Sequence, residues 1–106
     1  MSNAVAEYKK LVASLVGMEG TAVGQMFGKA CIKINGKAFF SQHKESVVFK
    51  LTGTHHQKAL ALKGATLWDP SAKGRPMNEW VALPATESKH FVALANAALA
   101  YVAEAA

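Results

Sequence analysis

Val5, Tyr8, Leu11, Val12, Leu15 and Val16 recur at three- and four-residue intervals, the spacing that gathers apolar side chains on one face of an α-helix. The pattern predicts a helix over residues 3–16, with Gly17 as its C-terminal stop. Residues 21–26 form a short strand candidate interrupted by Gly24. Two strand-like runs follow, Ala30-Cys31-Ile32-Lys33-Ile34 and Lys37-Ala38-Phe39-Phe40-Ser41, separated by Asn35-Gly36. That dipeptide supplies the two positive-φ positions of a type I′ turn, so the runs read as a hairpin. If Ile34 pairs with Lys37, strict alternation sets Ile32 against Phe39 in the core and leaves Cys31 and Phe40 on the other side. Phe40 would then sit beside Lys33 and Ala38 on a mixed face, partly exposed or covered by a partner.

Polar residues 42–45 lead into a further strand at 47–51, with Val47, Phe49 and Leu51 facing inward. Thr54-His55-His56-Gln57 has the spacing of a capping box and starts a short helix. Ala59, Leu60 and Leu62 supply its buried side and Gly64 closes it. A strand at 66–69, a loop at 70–76 rich in Gly, Pro, Ser and Lys, and a last strand at 79–83 come next. Pro84 ends that strand. Thr86 is positioned as an N-cap, Glu87 suits the positive end of a helix, and Phe91, Leu94, Ala95, Ala98, Leu99 and Val102 form the stripe of that helix. A meander of antiparallel strands cannot bury both faces alone, so the expected class is α+β: a two-layer α/β sandwich ordered helix, three or four strands, helix, two strands, helix.

Length changes the picture only by limiting it. The 106 residues suit a single domain over 1–106, and with 51% apolar residues the chain can bury a core without staples. The single cysteine, Cys31, cannot close an intrachain disulfide and suits a reducing compartment or simply a buried thiol. The start carries neither the basic residues nor the apolar stretch of a signal peptide, so a cytoplasmic location is expected. Ser2-Asn3-Ala4 resembles the remnant of a removed tag, and residues 1–4 are set aside. No apolar run reaches the ~20 residues that span a bilayer, so no membrane association is expected.

Charge divides the chain. Nine basic residues lie between Gly28 and Arg75 against Glu45 and Asp69 only, a net +7 in a protein of formal charge +5. Such a half could serve nucleic acid or an acidic partner, or it could be a solvated lysine face.

Met26-Phe27-Gly28, Ile34-Asn35-Gly36-Lys37-Ala38-Phe39-Phe40, Val48-Phe49-Lys50-Leu51, Gly64-Ala65, Gly74-Arg75-Pro76-Met77 and Trp80-Val81-Ala82-Leu83-Pro84 follow one another in an order and spacing that resemble the TfoX N-terminal domain family. The resemblance runs from about Met26 to Tyr101. Lys29 stands where the family has a second glycine, so the likeness is to the wider group. It implies a secretion-chaperone-like order of elements, the same order that the residues give. Competence regulators of that family carry a second domain, which is not expected here, and the resemblance donates no catalytic residues.

The candidate chemistry is thin. His55 and His56 are adjacent and diverge on a helix, and His43, His90 and Cys31 lack paired metal-site spacing, so no metal or other cofactor is expected. Cys31 lies mid-strand among apolar residues and reads as packing rather than as a nucleophile. Asp69, Glu79 and Glu87 sit at turns and element ends, where carboxylates cap and solubilise. The glycines at 17, 20, 24 and 28 are followed by no phosphate-binding fingerprint. Trp68 and Trp80 bracket a basic stretch holding Lys73, Arg75 and Met77, which could grip a ligand by stacking and charge; alternatively the two indoles are core residues of neighbouring strands. Binding candidates are therefore Trp68, Lys73, Arg75, Met77, Trp80 and Phe40. The expected function is a non-enzymatic binding domain acting through protein–protein contacts, with homodimerisation through its sheet or helices. The alternative is a nucleic-acid-associated domain using Lys29, Lys33, Lys37, Lys73 and Arg75.

Overall fold

Asn35 and Gly36 both hold positive φ, +52° and +84°, and close a hairpin between β2 (Lys29–Ile34) and β3 (Lys37–His43). The computed structural model describes residues 4–15, 20–26, 29–43, 46–68 and 77–105. Around the hairpin it places α1 (Ala4–Leu15), β1 (Thr21–Met26), β4 (Ser46–Lys50), α2 (Gly53–Leu60), β5 (Thr66–Trp68), β6 (Met77–Pro84), a 3-10 segment (Ala85–His90) and α3 (Phe91–Ala105). The six strands form one antiparallel sheet in the order β1-β2-β3-β4-β6-β5. The α+β class and the predicted order of elements are both present. The last strand begins two residues earlier than its apolar run suggests.

The helices share one face of the sheet. Tyr8, Leu11 and Leu15 of α1, Ala59 of α2 and Phe91, Leu94, Ala95, Ala98 and Val102 of α3 enclose a single core with Ile32, Ile34, Val47, Phe49, Val81 and Leu83. Burying a large aliphatic or aromatic side chain is worth roughly 1.5–3 kcal/mol, so this face dominates the stability of the domain. Val5, expected on the α1 stripe, is 40% exposed, while Ala4 is fully buried. The buried positions 4, 8, 11 and 15 follow the helical period one step away from Val5. Val16 and Gly17 lie outside the described residues. The Thr21 hydroxyl donates to the Leu15 carbonyl at 3.1 Å, tying the end of α1 to the start of β1.

The hairpin register departs from simple alternation. Ile34 pairs with Lys37 and Lys33 with Ala38, but Ile32 then pairs with Phe40 rather than Phe39, and Cys31 with Ser41. Phe39 is thus an extra residue on β3, a β-bulge. Phe39 and Phe40 both enter the helix-side core, and both are fully buried. Their rings meet edge to face with centroids 5.1 Å apart. Phe40 also contacts Tyr8 at 5.4 Å and Phe49 at 6.1 Å. The expectation that Phe40 is partly exposed, on the face of Cys31, is therefore overturned: the bulge shifts the side-chain phase by one residue.

Two helix starts also differ from their sequence signals. The chain turns into α2 at Gly53, with φ +59°, and the Thr52 carbonyl accepts from the His56 N–H at 3.4 Å without a side-chain cap. Thr54, the expected cap, is one residue inside. Likewise Thr86 lies within the 3-10 segment, which follows Pro84 and kinks at Glu87. The full helix begins only at Phe91. Gly64 leaves the turn after α2 at φ +81° with its Cα close under Pro84; an added Cβ would approach the Pro84 ring to 2.9 Å.

Candidate functional site

The sheet face away from the helices carries Val48, Trp68, Trp80 and Ala82, packed with Ala38. Trp68 and Trp80 are 3% and 4% exposed, and their rings meet edge to face at 5.3 Å. They are a packed pair on adjacent strands, so neither presents an open stacking platform. Lys73 and Arg75 lie outside the described residues, and Met77 is described by its place at the start of β6, where it pairs with Trp68. Of the members whose place is described, Trp68, Trp80 and Met77 lie together on β5 and β6, and Phe40 is in the opposite core. Of the five cations assigned to nucleic acid, Lys33 is half-buried across Gly24 and Lys37 is exposed at the hairpin turn. Lys29, Lys73 and Arg75 have no described side chains.

Cys31 is fully buried opposite Ser41, whose hydroxyl donates to the Ala30 carbonyl at 2.6 Å. Burial pushes the thiol pKa up, opposed in part by the Lys33 charge. The thiolate needed for nucleophilic work is disfavoured there. Among the described residues no three His, Cys, Asp or Glu side chains gather as a metal site. At the other end of the sheet the Tyr101 hydroxyl donates to Glu79, whose second oxygen lies 3.9 Å from Lys50 Nζ. That bond is the main reason the Tyr101 pKa is raised. The three residues connect the last turns of α3 to β4 and β6, which is a structural task.

Two surface features remain. The first is the outer edge of β1. Its inner side pairs with β2 along its whole length, and no described strand pairs with its outer side. Thr-Ala-Val-Gly-Gln-Met contains neither charge nor proline. Val23 is 64% exposed although its cross-strand partner Ile32 is fully buried. An uncharged, proline-free edge offers its backbone N–H and C=O groups to another strand. Their composition marks a short strand, but no local pattern marks its place at the end of the sheet.

The second is a cleft of about 250 Å³ between α2, the 3-10 segment and α3, lined by His55, Lys58, Ala59, Leu62, His90, Ala93 and Leu94. On both walls the lining positions are three or four residues apart, the spacing of one helix face. His55 and His90 are 35 positions apart and meet only through the fold. The signal available in sequence was the His55, Lys58, Ala59, Leu62 stripe, which mixes cations with apolar residues.

Among the described residues no helix is long and apolar enough to cross a membrane. Comparison of the chain with protein-family models, curated proteins and solved structures finds no match.

Proposed function

We propose that this chain is a non-enzymatic interaction domain acting in the cytoplasm as a homodimer, joined through the outer edge of β1. The observation that carries the reading is that edge: six uncharged residues with a valine 64% exposed near the middle. Natural sheets blunt such edges with lysine, proline or a covering element, and an edge that no described strand covers is suited to strand addition. A second copy supplies the same strand. Antiparallel pairing about a two-fold axis at Val23 sets the two Val23 side chains against each other, Thr21 against Gln25 and Ala22 against Gly24, with no charged pair among them. A cross-strand apolar pair of this kind contributes roughly 0.2–1 kcal/mol beyond the backbone bonds. Membership of the TfoX N-terminal domain family belongs to the same reading, supported by the helix, strands, helix, two strands, helix order that this resemblance implies. The burial of Cys31 supports a role without covalent chemistry.

Sedimentation velocity at micromolar concentration tests the dimer. The expected result is a two-chain species for the natural sequence and a monomer for Val23→Lys, with unchanged circular dichroism. A monomeric natural chain overturns the dimer, and a dimeric Val23→Lys chain overturns the edge as its site.

A further inference from the structure

The cleft between α2 and α3 has a divided lining. Ala59 and Leu94 are buried at its floor with Leu62 beside them, while Lys58 and His55 are exposed at its rim and His90 is half-buried. Among the described residues no acidic side chain lines it. Lys58 supplies a full positive charge, and each imidazole presents an N–H donor whether neutral or protonated. An apolar floor beneath convergent polar donors is the usual make-up of a small-molecule site. The volume, about 250 Å³, falls just below the ~300–1,000 Å³ of drug-sized sites, which restricts the occupant to a small one.

We propose that this cleft binds a small amphiphilic carboxylate, its head group held by Lys58, His55 and His90 and its short aliphatic tail laid against Ala59, Leu62 and Leu94. A lysine side chain suits an anionic head group, and charge-assisted hydrogen bonds from lysine and imidazole to a carboxylate are the strong kind. A dianionic phosphate would leave part of its charge uncompensated and would not use the apolar floor. The carboxylate site rests on different residues from the β1 edge, and neither needs the other.

The experiment is a titration of the ¹⁵N-labelled chain followed by amide chemical shifts, with hexanoate, hexylammonium and inorganic phosphate as probes. Hexanoate is expected to give saturable shifts confined to residues of α2 and the 3-10 segment to α3 junction, hexylammonium none, and phosphate only weak ones. Lys58→Gln, at an exposed position, and His90→Gln, at a half-buried one, should each weaken hexanoate binding about tenfold while the spectrum stays dispersed. Equal shifts from hexanoate and hexylammonium would overturn the proposal, because the contact would then be apolar only. So would the absence of saturation with hexanoate, or undiminished binding by Lys58→Gln.

Discussion

The indole N–H of Trp68 donates to Nδ1 of His43 at 2.5 Å, and the two rings also meet edge to face with centroids 5.8 Å apart. Trp68 ends β5, a strand of only three residues, and His43 ends β3. The bond therefore reaches across β4 and β6 and holds the short outer strand to the middle of the sheet.

Trp68→Phe keeps an aromatic ring beside Trp80 and removes the donor. It is expected to cost about 1–2 kcal/mol, the worth of a hydrogen bond plus the lost indole volume. Urea unfolding with an unchanged slope and a lowered midpoint would show it. A variant as stable as the natural chain would mean that the bond carries no net stability.

The Tyr8 hydroxyl is buried without a hydrogen-bond partner among the described residues, and burial is the main cause that pushes its pKa up to about 12. The unfolded chain titrates tyrosine near ~10. Above that value the unfolded state releases a proton that the folded state retains, so stability is fully present below pH ~10 and drains away as pH climbs toward the folded value. The two-unit interval corresponds to roughly 3 kcal/mol. Tyr8→Phe should remove this alkaline loss and, at neutral pH, leave stability equal or raised by about 1 kcal/mol. Paired thermal melts of both chains across that pH range read the difference.

Phe40→Ala should destabilise the domain by about 3–5 kcal/mol, the usual cost of emptying an aromatic site in a core. A Phe40 on a solvated face would cost no more than about 0.5 kcal/mol. Chemical denaturation separates the two cleanly.

Gly36 sits at φ +84° with nothing within 4 Å of where a Cβ would be. Gly36→Ala therefore meets no steric neighbour and is charged only the left-handed backbone penalty, about 1–2 kcal/mol. A fall in melting temperature without loss of native circular dichroism is the expected reading.

Elements with a strong local period were legible in the chain. The stripe from Phe91 to Val102 and the Asn35-Gly36 turn were both readable because a few neighbouring residues decide them. Helix starts were less so: Thr54 and Thr86 have capping chemistry, yet Gly53 and Pro84 redirect the backbone first. Phe40 was misplaced because alternation assumes one residue per rung, and a bulge has no marker in Lys37-Ala38-Phe39-Phe40 that differs from an ordinary strand. The cleft was hidden for another reason. His55 and His90 acquire a common purpose only when α2 and α3 pack side by side, and no local pattern encodes that meeting.

The bulge at Phe39 has a counterpart in what the chain can lose. Between the turn and Ala38, and again from Phe40 onward, β3 keeps the facing that an unbroken ladder would give it, since Lys33 meets Ala38 and Ile32 meets Phe40 on either side of the extra residue. Excising Phe39 would join those two segments in phase, subtracting one ring from the core and turning no other side chain over. Excising Ala38 would instead drive Phe39 into its place, on the side of the tryptophans. Two adjacent single-residue deletions of the same strand thus have unlike outcomes, one a smaller core and the other an aromatic on the wrong side of the sheet.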